Sequence, residues 1–287
     1  MYKSSLVPIL RVLLTLGMLT VFGQARSVMF SESGSLTAVD LASKASQSGG
    51  MIVAAKGSGC AALVSLSTAR VKTEEGATSH PASDATALER LEKRVEVERI
   101  KILDASALFA SVGIVADTNY LADTLFDQVT EHKYVYGNSM PISRLAKHLS
   151  ILMHSHTLEH TSRPFGVHSC LIGRMKTLVK SEGEGDKGGE DDDLWVYEID
   201  TLGNIFGCRW CCIGSSLQNA GRVEKALRGV GKDIEICKEG KELVKHCLKC
   251  VKATLMEDLE PHEVSVSVVE AGAFPRLLSI DEIQELL

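Results

Sequence analysis

Two cysteine pairs at three-residue spacing are the first chemistry-bearing pattern in the chain: Cys208-x-x-Cys211 and Cys247-x-x-Cys250, the second preceded by His246. Such pairs suit tetrahedral zinc, whose thiolate ligands come in short-spaced couples. Placement argues against it. Cys208 and Cys211 fall in an apolar run over residues 205–213 that reads as one strand, where side chains three apart point to opposite faces. Cys247 and Cys250 share a helix face with Val244 and Val251, which suits core packing. A zinc-binding module through the paired motifs is kept only as an alternative. His154, His156 and His160 gather at a helix end, but no glutamate stands between His156 and His160 as in a zincin helix, so capping or solvated histidines are expected. Gly57-Ser58-Gly59 lacks a third glycine and a following helix, which makes it a hairpin turn rather than a phosphate loop. The acidic run over residues 180–193 lacks the ligand order of a calcium loop, and no Gly-x-Ser-x-Gly elbow occurs. No metal, cofactor or catalytic residue is expected.

The elements that would hold these residues are legible from periodicity. Ile142, Leu145, Leu149 and Leu152 share one helix face, and Pro164 ends any continuation of that helix. Gly166 turns the chain into a strand with Val167 and Leu171 on one face and Cys170 and Ile172 on the other. A strand apolar on both faces belongs in the middle of a layered protein. Strands are also expected at residues 51–55, 60–66, 108–115, 195–199 and 264–268, with residues 274–278 as a hairpin partner of the last. Asp117 is placed to cap a helix carrying Leu121, Leu125 and Val129 and ending near Gly137. Residues 216–229 and 238–256 read as helices, and Ser279 with Glu282 makes a capping box for a closing helix. Strand hairpins flanked by paired helices give an α+β fold, a four-layer αββα sandwich.

At 287 residues and 45% hydrophobic the chain can bury a large core. Its net charge of −6 and lack of a basic run with interleaved aromatics exclude nucleic acid as an expected partner. Eight irregularly spaced cysteines do not make a disulfide scaffold. Residues 1–25 form a hydrophobic, signal-like extension in front of a domain over residues 26–287. Arg11 interrupts its apolar run, which is too short for a stable membrane span. Charged residues 72–98 and the acidic loop at 180–193 are surface insertions.

Four stretches then carry a resemblance: Phe30-Ser31-x-x-Gly34-x-Leu36-x-x-Val39-Asp40-x-Ala42; Gly113-Ile114-Val115-Ala116-Asp117 with Tyr136-Gly137; Arg163-Pro164-Phe165-Gly166-Val167; and Asp200-x-x-Gly203-Asn204 with Cys212-Ile213-Gly214-Ser215. In order and spacing they resemble a proteasome α-type subunit, an Ntn-hydrolase fold, over nearly all of residues 27–287. The resemblance is divergent: the gating Tyr-Asp-Arg tail is missing before Phe30, Glu32 replaces the usual proline, and Asp40-Leu41 replaces Glu-Tyr.

The resemblance implies a non-catalytic subunit of the 20S core, serving ubiquitin- and ATP-dependent protein degradation. Related β subunits attack peptides with an N-terminal threonine whose amine is the base, helped by a carboxylate and a lysine. Here Gly50 falls at the nucleophile position, Leu66 at the carboxylate and Arg99 at the lysine, so no peptide-bond chemistry is expected. Arg99 and Gly113 match positions of a pocket where activators dock a C-terminal carboxylate, although an ion pair with Glu96 or Glu98 explains Arg99 equally well and packing is the ordinary reading of Gly113. Leu36, Val39 and Ala42 match the ring-contact helix. The implied partners are other α and β subunits and regulatory-particle ATPases or other activators, in cytoplasm and nucleus. The alternative is a secreted or organellar protein directed by residues 1–25.

Overall fold

Strand β1 (Met51–Lys56) shows why the chain folds in layers: Met51, Val53 and Ala55 enter one apolar core while Ile52 and Ala54 enter another. Alternate residues of a strand face opposite ways, so a run that is apolar at every position must be covered on both sides. The computed structural model describes residues 34–47, 50–66, 99–159, 162–175, 194–214, 217–255, 259–270 and 273–287. The N-terminal extension, Phe30, the insertions at 72–98 and 180–193, and His160 lie outside the described residues.

Helix α1 (Thr37–Ser46) precedes β1, which forms a hairpin with β2 (Cys60–Leu66) in a register pairing Met51 with Leu66. Then come β3 (Ile100–Asp104), β4 (Ala107–Gly113), α2 (Val115–Tyr136), α3 (Ile142–Leu158), β5 (Val167–Arg174), β6 (Leu194–Ile199), β7 (Ile205–Cys208) and β8 (Trp210–Gly214). The chain closes with α4 (Leu217–Gly229), α5 (Gly231–Ile236), α6 (Gly240–Leu255), a 3-10 turn, β9 (Val264–Glu270), β10 (Arg276–Leu277) and α7 (Ile280–Leu286).

Two five-stranded antiparallel sheets result, in the orders β10-β9-β2-β1-β8 and β3-β4-β5-β6-β7. The first packs under α4 and α6, through Val223, Leu227, Val244 and Leu248. The second packs under α2 and α3, through Leu121, Leu125, Leu145 and Leu149. Between the sheets lies a third core of Ile52, Leu63, Leu108, Ile172 and Val196. This is the four-layer αββα sandwich. Val167 and Leu171 face the helices while Cys170 and Ile172 face the other sheet, as the strand pattern requires.

Three local expectations are corrected. Residues 205–213 are not one strand: the chain bends at Arg209, so β7 ends one sheet and β8 borders the other. Asp117 does not cap α2; Ile114 is the N-cap, and Asp117 sits one turn in, bonded elsewhere. Strand β3 was not anticipated, because charged residues upstream hide its short apolar alternation. The helix stop was anticipated correctly: Gly137 caps α2 at φ +69°, a left-handed conformation glycine adopts without Cβ strain.

Candidate functional site

Gly50, Leu66 and Arg99 are brought together where β1 begins. The β1–β2 register sets Leu66 beside the start of β1, and Arg99 enters just before β3 of the facing sheet. A Cβ placed on Gly50 would lie 2.5 Å from the carbonyl oxygen of Leu66 and 3.1 Å from both Cζ and Nη1 of Arg99. The Gly50 φ of +121° is itself a conformation that side chains rarely adopt. A nucleophile position is therefore present in outline, but it has no side chain, Leu66 offers no side-chain carboxylate, and the Arg99 guanidinium stands in front. Burial lowers the Arg99 pKa below its ordinary value, but a guanidinium still does not become a general base near neutral pH.

Arg99 also borders a cavity of about 300 Å³, whose wall includes Pro261, His262, Val264, Leu278 and Ile283. Gly113 lies on the neighbouring strand. It ends β4 at φ +127°, and a Cβ there would run into the carbonyl of Gly166 and come 3.1 Å from Cα of Ser46. Its absence of a side chain lets α1, β4 and the segment before β5 meet. Arg99 immediately precedes β3, and the Ile100–Ala110 register sets it near the end of β4 that Gly113 closes. On α1, Leu36 and Val39 are half-exposed, whereas Ala42 is buried against the chain's own body. Leu41 points outward in its place.

An ion pair that motif reading did not connect ties the middle of the fold together. Arg163 donates from Nη1 to Oδ2 of Asp117 at 2.7 Å and from Nη2 to Oδ1 at 2.6 Å. The amide of Gly166 donates to the same carboxylate at 3.1 Å. Both residues stand in the quoted motifs, which was the available signal. In the Asp200-x-x-Gly203-Asn204 turn, Oδ1 of Asp200 accepts from the amides of Leu202 and Asn204, and Gly203 takes φ +85°.

The cysteines depart from expectation at one place. Because β7 and β8 belong to different sheets, Cys208 and Cys211 do converge, and with Glu198 their ligand atoms lie within 4.8 Å of one another. Hydrogen bonding to Cys211 and burial push the Cys208 thiol far up, and a bond to Cys170 with burial does the same to Cys211. Cys247 and Cys250 are buried on α6, as expected for packing. Of the histidines at the end of α3, the two described have separate partners: His154 Nδ1 is 3.3 Å from the Leu202 carbonyl, and His156 lies tilted against Phe165 with ring centroids 4.3 Å apart.

Comparison with known proteins settles what this scaffold is. A family model described as proteasome subunit matches residues 71–269. The chain belongs to the proteasome subunit family. Among its relatives it is 24% identical over 192 residues to proteasome subunit alpha of Methanococcus maripaludis strain C6, covering 67% of this chain and 66% of the relative. It is 25% identical over 246 residues to proteasome subunit alpha type-1 of Dictyostelium discoideum, covering 85% and 84%. The chain thus spans just under two thirds of the archaeal relatives' length. The resemblance is to α-type members, at low identity throughout, and the arrangement at Gly50 agrees with it.

Proposed function

We propose that this chain is a non-catalytic α-type subunit of the 20S proteasome core, packing beside other α subunits and against β subunits. The observation that carries the reading is Gly50 facing Arg99, in a fold whose active members need a side-chain nucleophile there. Exposed apolar groups on the helices that cover one sheet support a role in assembly. Phe126, Tyr134, Val135 and Tyr136 on α2 and Ile151 on α3 are all more than half exposed. Rings built from one fold close through such heterologous faces. Leu36 and Val39 of α1 are the ring contacts in this reading.

Within the assembly, Arg99 with its neighbouring cavity would receive the C-terminal carboxylate of an activator, including a regulatory-particle ATPase, and Gly113 would border the same inter-subunit groove. Through that docking the chain would serve ubiquitin- and ATP-dependent degradation in cytoplasm and nucleus. Residues 1–25 favour the alternative, a secreted or organellar protein on this fold. Affinity purification of the tagged full-length chain, with mass spectrometry of what accompanies it, separates the readings. Stoichiometric α and β subunits support core membership. A chain recovered alone from a secretory fraction, with a processed N-terminus, supports the alternative.

A further inference from the structure

The corner where β7 passes into β8 gathers more soft ligands than core packing requires. On β5, β6 and β7 the residues His168, Cys170, Glu198 and Cys208 occupy the face turned toward the other sheet. The registers set this: Cys170 pairs with Glu198, and Cys208 pairs with Val196 two residues along. Alternate strand residues share a face, so Val196 and Glu198 point the same way. Cys211 approaches from the facing sheet, and its Sγ lies 3.7 Å from Sγ of Cys170. Glu198, Cys208 and Cys211 offer ligand atoms all within 4.8 Å of one another.

We infer that Glu198, Cys208 and Cys211 form a binding site for a thiophilic divalent cation, of which zinc is the natural candidate, with Cys170 lying beside Cys211 outside the ligand set. Tetrahedral coordination with metal–sulfur bonds of about 2.3 Å sets sulfurs about 3.8 Å apart. The ligand atoms of Glu198, Cys208 and Cys211, all within 4.8 Å of one another, are close to that spacing. Two sulfurs and one carboxylate supply three protein ligands and leave the fourth tetrahedral position to water, as in an open zinc site. His168 Nε2 lies 2.9 Å from Oε1 of Glu198 without hydrogen-bond geometry, and as an imidazolium would hold the carboxylate by charge from outside the ligand set. Binding displaces the thiol protons to solvent and leaves the sulfurs as thiolates on the metal. Ligands from β6, β7 and β8 would clamp the two sheets where the chain passes from one to the other.

The test is cobalt(II) and cadmium(II) titration of the full-length chain at low concentration, read by absorption. A thiolate-to-metal band saturating at one ion per chain, with the strong visible bands of tetrahedral cobalt, is expected. Cys208→Ser, at the half-exposed edge, and Cys211→Ser should abolish the band while circular dichroism shows the fold retained. Cys250→Ala, outside the cluster, should leave it unchanged. His168→Ala should weaken binding by about 10–100-fold without altering the cobalt spectrum. If the serine variants do not fold, the wild-type spectrum decides alone. Absence of any thiolate band at one equivalent of metal, or an undiminished band in folded Cys211→Ser, overturns the site.

Discussion

Arg99 occupies the space in front of Gly50: its Cζ and Nη1 stand 3.1 Å from where a Cβ on Gly50 would be. Restoring a threonine there therefore cannot restore catalysis. Gly50→Thr would add a side chain at φ +121°, with its Cβ 2.5 Å from the Leu66 carbonyl. Strain of this kind costs about 1–3 kcal/mol. The expected outcome is a lower thermal midpoint and no hydrolysis of fluorogenic peptides; measurable turnover by Gly50→Thr would contradict the account.

The Asp117–Arg163 pair should matter more than an ordinary surface bridge. The Asp117 side chain is 8% exposed and that of Arg163 51% exposed, so removing the arginine strands a buried carboxylate. Arg163→Ala is expected to cost about 1–3 kcal/mol in chemical denaturation. Arg163→Lys, which keeps the charge and loses the two-pronged geometry, should recover part of that. A loss no larger than for a surface arginine such as Arg228 would mean that the pair is incidental.

Acid stability has a defined contributor in α7. Glu282 is held down to about 2 by a hydrogen bond from Lys241, the amide of Ser279 and Arg276. It also completes the capping box with Ser279. A carboxylate whose folded value lies below its usual 4.5 stabilises the fold above that pH and loses the contribution as pH falls toward 2. Wild type should therefore be more stable than Glu282→Gln at neutral pH. The two unfolding curves should converge between about pH 4.5 and pH 2. A difference that persists at the acid end would assign the effect to geometry rather than charge.

Gly113 separates two readings of one motif. Gly113→Ala meets the Gly166 carbonyl at a φ of +127°, so the isolated chain should lose stability by more than the 1 kcal/mol or so typical of a glycine replacement. Arg99→Glu, by contrast, should spare the fold and weaken activator binding to assembled particles, whereas Arg99→Lys should retain it. Equal activator affinity for the Arg99→Glu and Arg99→Lys particles would remove Arg99 from the docking reading.

The layers were legible because periodicity reports burial: the two-sided apolar pattern of β5, the alternation of β9 and the helical spacing in α3 and α6 each named the correct faces, while β1 and β2, apolar at nearly every position, read as strands without a named face. What escaped was set by the path of the chain between elements. Nothing local shows that Arg209 is a bend between sheets, so Cys208 and Cys211 read as residues on opposite faces of one strand when they in fact converge. Asp117 looked like a cap because caps are local, while its partner lies 46 residues away. At the candidate site, alignment to the family placed Gly50, Leu66 and Arg99 together, and only the tertiary structure shows that the arginine fills the gap.

Assembly carries the whole account. With Tyr134 91% exposed and flanked by Val135 and Tyr136, the full-length chain expressed alone should self-associate and become soluble on co-expression with neighbouring subunits. The most direct measurement is native mass spectrometry of core particles purified through a tag on this chain, after treatment with a probe that alkylates N-terminal threonines. The account predicts an intact particle containing this chain unlabelled, with the label on other subunits. Finding the label on this chain, or finding the chain as a free monomer outside every particle, would contradict it.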